Sequence, residues 1–423
     1  MLRAMTSGIS GLKVNQNKLD IVGSNIANSS TTAYKSQSIN FSDAISETIK
    51  GASGATANYG GVNPEQITLG VNSSAIITNT ASGSVNTTGR NLDVAITDGD
   101  GYFMVASGAN MADESECINV STTDHSITST PSGTDISYTR DGSFNLDNEG
   151  NLVTADGRKV LGYSMVGRNT LYEDSADKTK NIYGNFVSIS GAQDETTMAG
   201  SDENAATYIA AEGGDDLNKS IVAAVDKNPS GSGTATIKKG DVAFVDANDV
   251  DLRADNRYLH TLKIPPTVTK VTATRDASGN AVYSTQELKV KGFSIGQDGV
   301  ITANLDNGSA AAIGQIAMSS FTNAGGLEKE GGNYVKPSAS SGQPMVRSGA
   351  YSNKLDPTFI SSAKKEDNSG GYGKMYSGAL EMSNVDLAQQ FSDMIVASRA
   401  YQANGKIITT SDEILQDLVN LKR

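Results

Sequence analysis

Hydrophobic residues follow a helical spacing at the two ends of the chain. Near the start they recur at every seventh position, with a second set at the intervening fourth position. The first set is Met5, Leu12, Leu19 and Ile26, and the second is Ile9, Gln16 and Gly23. This spacing predicts an amphipathic helix with one narrow apolar stripe.

The end of the chain carries a second and longer helical pattern. Its main stripe consists of Leu387, Phe391, Met394, Tyr401, Ile408 and Leu415. Further apolar residues beside that stripe are Ile395, Ile407, Ile414, Leu418 and Leu421. Ser383 or Asn384 is the expected N-cap, and no proline interrupts the segment. A helix of this length with a narrow stripe needs a partner helix.

The simplest partner for each terminal helix is the other terminal helix. We therefore expect the two ends to pair as an antiparallel or staggered coiled coil. In the alternative interpretation the helices stay separate and each caps a β-domain. Polar residues on both helices leave room for further neighbours, which suits assembly of many chains.

Between the helices, short alternating runs are separated by glycine, asparagine and aspartate turns, which predicts β-structure. Residues 102–105 follow an Asp-Gly-Asp-Gly turn, and residues 139–163 are typical of consecutive hairpins. Residues 34–70 have little regular pattern, and the pattern weakens again from about 164 to 290. The predicted fold is mainly β and multi-domain, with nested β-domains between terminal helices that pair as a coiled coil.

The same pattern divides the chain into four nested parts. They are a terminal helical coiled-coil domain (1–33 and 383–423), a linker region (34–70 and 351–382), an inner β-domain (71–145 and 291–350) and an inserted outer β-domain (146–290). The chain thus goes out and returns, so we expect both ends at one pole.

Composition narrows the functional classes. The 423 residues include 34 Lys+Arg and 47 Asp+Glu, a formal net charge of −13, which is too acidic for a nucleic-acid-binding protein. The hydrophobic share of 37% is below the roughly 45–50% of globular domains, which favours small β-rich domains over one large core.

No apolar run in the sequence approaches the roughly 20 residues of a membrane span. The first residues lack the apolar run and cleavage site of a secretory signal peptide.

Few residues are available for catalysis or metal binding. The chain has two histidines, His125 and His260, and one cysteine, Cys117. Neither histidine lies in a nucleophile signature, and both are expected at the surface. Glu114 and Glu116 lie beside Cys117 and disfavour its thiolate form. We therefore predict no enzymatic activity, no catalytic or metal-binding residue and no cofactor.

One segment has the spacing of a cation-binding loop. Residues 145–156 place oxygen-bearing side chains at positions 1, 3, 5 and 12 of a calcium loop, with glycine at position 6. Strands are predicted on both sides where a calcium loop needs helices, and the twelfth residue is the short Asp156. A hairpin turn is therefore the preferred interpretation, and calcium binding is the alternative.

Several segments together resemble the flagellar rod, hook and hook-associated axial family. They are Asn25-Ile26-Ala27-Asn28 with Tyr34-Lys35, the stretches 98–105, 139–163 and 313–335, Asn384-Val385-Asp386-Leu387, and Arg399-Ala400-Tyr401-Gln402-Ala403-Asn404. Ala33 stands where the family more often has glycine, and Ser398 where it more often has glutamine. The resemblance covers well over half of the chain.

The resemblance implies a structural subunit of a helical tube, with paired terminal helices along the inner wall and β-domains in outer layers. The chain length favours the hook member of the family, whose curved, flexible tube transmits torque from motor and rod to filament. The apolar stripe residues of the two helices then serve self-assembly. Implied partners are further copies of the chain, the distal rod protein, the hook cap, the hook-filament junction proteins and the flagellar type III export apparatus. The implied location is the extracellular hook, reached without a cleaved signal peptide.

The segment Phe41-Ser-Asp-Ala-Ile45 resembles the family's Phe-x-x-x-aliphatic export element, so Phe41 and Ile45 are expected to contact the export gate.

Two other functions stay open. One is a distal rod subunit of the same family. The other is a secreted glycan-binding β-protein, which would need clustered carboxylates and an aromatic-lined cleft.

Overall fold

The protein is represented by a computed structural model. It describes residues 2–56, 60–97, 99–108, 117–121, 125–172, 182–188, 207–209, 222–223, 242–248, 252–254, 258–275, 281–347 and 373–421. The chain divides into two compact units. Unit 1 consists of Met1–Ser84 and Met382–Arg423, and unit 2 of Val85–Glu381.

Unit 1 combines the two terminal helices with two strand pairs. Its elements are α1 (Leu2–Ala27), β1 (Gln37–Asp43), β2 (Ser46–Lys50), β3 (Glu65–Thr68), β4 (Val71–Thr78) and α2 (Leu387–Leu421). The strands β1 and β4 pair antiparallel, and so do β2 and β3. Both helices lie where the apolar spacing predicts them.

The segment 34–70, which is predicted to be a linker region, contains β1, β2 and β3. Its role as a linker stays a prediction. Every residue of β2 and β3 is exposed, so neither strand has a buried face. Strands without a buried face need no alternation of apolar and polar residues, and the signal on which strand prediction depends is missing. Of the second predicted linker segment, residues 351–372 lie outside the described residues.

Unit 2 is built of strands. The first are β5 (Val85–Thr87), β6 (Val94–Thr97), β7 (Tyr102–Ser107), β8 (Ile118–Val120), β9 (Ile127–Ser129), β10 (Asp135–Thr139), β11 (Asn145–Leu146), β12 (Leu152–Val153), β13 (Lys159–Tyr172), β14 (Ile182–Val187), β15 (Thr207–Ile209) and β16 (Val222–Ala223). The later ones are β17 (Val242–Ala243), β18 (Arg253–Ala254), β19 (Tyr258–Thr261), β20 (Thr267–Arg275), β21 (Ala281–Ile295), β22 (Val300–Leu305), β23 (Ala310–Ile316), β24 (Met318–Ser320), β25 (Glu328–Gly331), β26 (Tyr334–Lys336), β27 (Met345–Arg347), β28 (Lys374–Ser377) and β29 (Ala379–Glu381). A short 3₁₀ helix, Ala324–Gly326, precedes β25.

Two strands organise unit 2. The strand β7 pairs antiparallel with β10, β13 and β24. The long strand β13 pairs with β7 at its start, with β19 and β23 in its middle and with β14 at its end. The strands β20, β21, β22 and β23 follow as an antiparallel meander. The mainly β fold class is therefore confirmed.

The core of unit 2 lies on both faces of β7. Phe103 and Val105 belong to one cluster of buried apolar side chains, and Tyr102 and Met104 to another. Successive side chains of a strand point to opposite faces, so one continuous apolar run serves both clusters. The ring of Phe144 meets that of Phe103 edge to face at 5.2 Å.

The predicted hairpins between 139 and 163 are also present. The pairs β11–β12 and β12–β13 are antiparallel. Gly150 and Gly157 have φ values of 83° and 81° in the connecting turns. This left-handed backbone region favours glycine because a Cβ atom is strained there.

Unit 2 begins and ends at the same place. Its first strand β5 pairs with its last strand β29, and β6 pairs with β28. Beside them the Arg140 Nε donates to the Glu381 Oε2 at 2.9 Å, and both side chains are buried. The chain therefore leaves unit 2 next to its point of entry, as a nested order requires. The predicted boundary at 145/146 between inner and outer β-domains stays a prediction.

Among the described residues, no helix is both long enough and apolar enough to cross a lipid bilayer.

Candidate assembly interface

The two terminal helices pack against each other in antiparallel orientation. Near the end of α1, Asn25 Nδ2 donates to Gln390 Oε1 at 3.0 Å. Fourteen residues earlier on α1, Gly11 lies against the side chain of Asn404. Residues nearer the start of α1 thus contact residues farther along α2, so the two helices run in opposite directions. The expectation that the terminal helices pair with each other is confirmed, and the pairing is antiparallel.

Small residues allow the two helices to approach closely. A Cβ atom added to Gly11 would lie 2.7 Å from Asn404 Nδ2, and one added to Gly8 would lie 3.3 Å from Ile408 Cγ1. On α2, Ala397 is almost completely buried. Side chains this small leave little distance between the helix backbones at the contact. The closest approach of the helices therefore uses residues that contribute almost nothing to a hydrophobic pattern.

A buried asparagine fixes the end of α1. Asn25 is fully buried, and its Nδ2 donates to the Gln37 carbonyl oxygen at 2.7 Å. Its Oδ1 accepts from the Gln37 amide at 3.0 Å and from the Tyr34 hydroxyl at 3.3 Å. Together with the bond to Gln390, the amide satisfies its hydrogen-bonding groups although it is out of water. It thereby connects α1, the chain before β1 and α2.

A second asparagine, Asn384, connects the chain before α2 to the chain around β1 and β4. Asn384 Oδ1 accepts from the Ser36 amide at 2.8 Å, and its Nδ2 donates to the carbonyl oxygens of Asn79 and Ala81 at 2.9 and 3.0 Å. The buried Lys35 donates to the same Ala81 oxygen at 2.9 Å. The family motif residues from the two ends of the chain therefore meet in one polar junction.

The start of α2 lies later than expected. Asp386 Oδ1 accepts from the amides of Ala388 and Gln389 at 2.9 and 3.2 Å, which is the geometry of an N-cap. The prediction of Ser383 or Asn384 as the N-cap was wrong. The side chain of Asn384 is already engaged in the polar junction, so Asp386 is the next residue able to cap.

One departure from the family pattern, Ala33, lies in a turn of unit 1. Ala33 has a φ of +55°, in the left-handed region that favours glycine. A glycine there would relieve the strain of the Cβ atom. The preference for glycine before Tyr34-Lys35 therefore has a backbone cause, and this chain keeps alanine at that position.

The predicted stripe residues are not the most deeply buried ones. Met5, Leu12, Leu19, Ile26, Met394, Ile408 and Leu415 are half-buried, and Ile9, Leu387, Phe391 and Tyr401 are exposed. The deeply buried positions of α1 are Gly8, Gly11, Val14, Val22 and Asn25. They cluster one position before the predicted stripe, which rotates the buried face by about 100°. The role of the stripe residues in self-assembly stays a prediction.

The two predicted export residues are exposed. Phe41 lies in β1, opposite Ser73 of β4, and Ile45 lies between β1 and β2. Both side chains are accessible to a partner in the folded chain. Their contact with an export gate stays a prediction.

The possible calcium loop forms the expected hairpin turn. Asp147 Oδ1 accepts from the amides of Glu149 and Asn151 at 2.9 and 2.7 Å, and Asn151 Nδ2 donates to Asp147 Oδ2 at 2.7 Å. Burial alone would raise the pKa of Asp147, but these hydrogen bonds outweigh it and lower the pKa. The carboxylate is thus used by its own turn. Among the described residues, no group of three or more possible ligands is placed to hold a metal ion.

The expectation of two surface histidines was wrong for His260. Its ring Nδ1 lies 3.0 Å from Cys117 Sγ, and both residues are buried. Antiparallel pairing of β8 with β19 opposes Ile118 and Leu259, which places Cys117 next to His260. The two are 143 positions apart, so no local motif indicates the contact. Glu114 and Glu116, expected to act on the thiol, lie outside the described residues, as does Asp98 of the turn before β7.

Three family models match separate parts of the chain. "Flagella basal body rod protein" matches residues 5–35, "Flagellar hook protein FlgE/F/G D1 domain" residues 127–190, and "Flagellar basal body rod FlgEFG protein C-terminal" residues 376–421. The first of these covers most of α1, and the last covers all of α2.

Curated relatives match along the whole chain. It is 33% identical to "Flagellar basal-body rod protein FlgG" of Bacillus subtilis, with 100% of both chains covered. The chain belongs to the flagellar hook and rod family. It is also 30% identical to "Flagellar hook protein FlgE" of Borreliella burgdorferi and 27% identical to that of Treponema pallidum, again with 100% of both chains covered. The resemblance drawn from the sequence motifs is therefore confirmed, and the family is one of structural proteins of the flagellum.

Proposed function

We propose that the chain is a structural subunit of the flagellar hook, which polymerises into a curved, flexible tube that transmits torque from the rod to the filament. The observation that supports this most strongly is the surface of unit 1. Its paired helices leave Ile9, Leu387, Phe391 and Tyr401 exposed to solvent. A monomer gains nothing from large apolar side chains in water, whereas a polymer buries them between copies.

The same unit has the rigidity that a repeated contact needs. Its helices are held together by close contact at Gly8 and Gly11 and by the amide of Asn25. The hydrogen bonds of Asn25 and Asn384 fix where α1 ends and where α2 begins, so every copy offers the same surface. The β-rich unit 2 has its own core and then forms the outer layers of the tube.

A distal rod subunit is the second candidate, because the FlgG relative is 33% identical to this chain and the FlgE relative of Borreliella burgdorferi is 30% identical. Electron microscopy of the concentrated full-length protein separates the two. A hook subunit forms curved tubes or tubes of variable curvature, and a rod subunit forms straight ones. Straight tubes under all conditions would reject the hook assignment while keeping the family assignment.

Further partners follow from the hook assignment. They are the distal rod protein, the hook cap, the hook-filament junction proteins and the type III export apparatus, which delivers the subunit to the extracellular hook without a cleaved signal peptide. The role is structural and requires neither a catalytic residue nor a cofactor.

Export provides a separate test. Phe41→Ala and Ile45→Ala are expected to reduce secretion without changing the far-UV circular dichroism of the purified chain. Ile49→Ala is the matched control, because Ile49 is an exposed isoleucine outside the Phe-x-x-x-aliphatic segment. Normal secretion of the first two variants, or equal loss in the control, would reject the export role.

A further inference from the structure

The helix α2 has two uncovered apolar stripes in addition to the face that contacts α1. The proximal stripe consists of Leu387, Phe391, Met394 and Tyr401, and the distal stripe of Val396, Ile407, Ile414 and Leu421. Successive helical residues are rotated by about 100°, so the members of each stripe share one side of the helix. Met394 and Val396 are two positions apart, and the two stripes therefore lie on nearly opposite sides.

Both stripes are open to solvent in the single chain. In the proximal stripe Phe391 is 49% exposed and Tyr401 41% exposed. In the distal stripe Val396 is 59% exposed and Ile414 45% exposed. Half-buried Ile408 lies between the α1 contact and the proximal stripe, and Met394 within the stripe is also half-buried. The proximal stripe therefore continues the contact that α2 makes with α1.

Gly405 lies in line with the proximal stripe, five helical turns after Leu387. Glycine inside a helix weakens it relative to alanine, and close packing against a neighbour is one reason to have it there. Gly8 and Gly11 have one, because α2 lies directly against them. Among the described residues Gly405 has no such neighbour, since an added Cβ atom would meet nothing within 4 Å. The space beside Gly405 is therefore available for an approaching molecule.

We propose that the proximal stripe of one copy packs against the distal stripe of a second, parallel copy, with Gly405 providing room for the bulky end of that stripe. We name this contact between the stripes of two copies the joint. The joint rests on the proposed function, since it needs a homopolymer. The stripes differ and lie on opposite sides of α2, so the contact is heterologous and each copy keeps one stripe for the next neighbour. A heterologous contact that also displaces the second copy along the helix axis cannot close into a ring, so it produces an open helical assembly. Packing of two identical stripes would produce a closed dimer.

The joint also has a register. The proximal stripe together with Gly405 spans residues 387–405, and the distal stripe spans residues 396–421. Aligning the midpoints of these two segments places Tyr401 of one copy beside Ile414 of the next. These positions are thirteen residues apart, so neighbouring copies are displaced by about 20 Å along the helix axis.

Cysteine cross-linking between two variants of the full-length protein tests this register. Tyr401→Cys and Ile414→Cys are purified separately, mixed, polymerised and treated with a mild oxidant. We expect at least a fivefold higher yield of disulfide-linked dimer from the mixture than from either variant alone. The matched control is a mixture of Arg399→Cys with Glu413→Cys, two exposed positions on the polar side of α2. The native Cys117 is buried, so the unsubstituted chain gives the background yield.

The outcomes separate the joint from the proposed function. Tubes in which the stripe mixture links no better than the polar-side control would overturn the joint and leave the hook assignment intact. More linkage within one variant than in the mixture would also overturn it, in favour of like-with-like packing. Absence of any polymer from the unsubstituted chain would overturn the hook assignment and the joint together.

Substitution of Gly405 provides an independent test, because it should stabilise the helix and at the same time weaken polymerisation. Gly405→Ala should raise the melting temperature of the helices by roughly 2 °C, and should raise the protein concentration needed for polymerisation at least tenfold. Gly23→Ala is the matched control, since Gly23 is also helical and has open space around it. This control should raise the melting temperature without affecting polymerisation. Unchanged polymerisation of Gly405→Ala, or equal losses in both variants, would overturn the role of Gly405.

Discussion

Units 1 and 2 bury their hydrophobic residues to very different extents. Among the described residues, unit 1 buries only Val14, Val22, Ala33 and Ala397, whereas unit 2 contains the large clusters on both faces of β7. Exposed large hydrophobic side chains have the opposite distribution. Those of unit 2 in the described part of the chain are Val85, Leu146, Met345 and Tyr376, and the remainder belong to unit 1. Unit 2 is thus a folded domain with its own core, whereas unit 1 leaves many of its large apolar side chains exposed.

The largest effect should come from breaking the buried ion pair of unit 2. Glu381→Ala leaves the Arg140 guanidinium buried without its carboxylate, which we expect to cost about 3–5 kcal/mol in the free energy of unfolding. Denaturant unfolding of unit 2 measures the loss. In the double variant Arg140→Met with Glu381→Met no charge stays buried, so it should lose much less. A cost below about 1 kcal/mol for Glu381→Ala would contradict the burial of the Arg140 guanidinium in the folded unit 2.

A smaller effect is expected at the helix contact of unit 1. Gly11→Leu forces a side chain into the position of Asn404, and overpacking of this kind costs about 1–3 kcal/mol. Far-UV circular dichroism during thermal unfolding measures the loss of helix pairing. Gly23→Leu is the matched control, because Gly23 has no neighbour to displace. Equal effects of the two substitutions would contradict the close contact at Gly11.

Acid should weaken unit 2 through Glu330. Hydrogen bonds from Lys336, Arg158 and Ser137 lower the pKa of Glu330 to about 2. Because the pKa is lower in the folded state, the stabilisation is fully present above the unfolded pKa of about 4.5 and is lost as the pH falls through about 2. The unfolding free energies of wild type and Glu330→Gln should therefore differ at pH 6 and converge towards pH 2. A constant difference across this range would contradict stabilisation by the ionised Glu330 carboxylate.

The smallest effect concerns the turn after α1. Ala33→Gly removes the Cβ atom from a left-handed backbone position and should stabilise unit 1 by about 0.5–1 kcal/mol. Ala27→Gly is the matched control at the last residue of α1, and it should destabilise unit 1 by a similar amount. Thermal unfolding of both variants measures the two shifts. Shifts of the same sign would contradict the strained conformation of Ala33.

The sequence predicts the elements well wherever one periodicity is strong. The seven-residue spacing locates α1 and α2, and the turn glycines Gly150 and Gly157 locate the hairpins of unit 2. The faces of the helices are predicted less well. Large apolar residues dominate a hydrophobic pattern, whereas the helix contact uses Gly8 and Gly11, so the predicted face is rotated away from the buried one.

Contacts between distant segments could not be predicted from local patterns. The polar junction depends on Asn25 and Asn384, which an apolar pattern ignores and only the family motifs single out. The burial of His260 beside Cys117 depends on the pairing of β8 with β19. Long-range strand pairing of this kind has no signature within a short window of sequence.

The central claim is that unit 1 completes its apolar burial with further copies of the same chain. The most direct measurement compares the full-length chain with a variant that carries Phe391→Ser and Ile414→Ser, by sedimentation and electron microscopy over a range of concentrations. Both side chains are exposed in the single chain, so the helices should keep their circular dichroism. We expect tubes from the full-length chain and monomers from the variant. Tubes from the variant at the same protein concentration would contradict the claim.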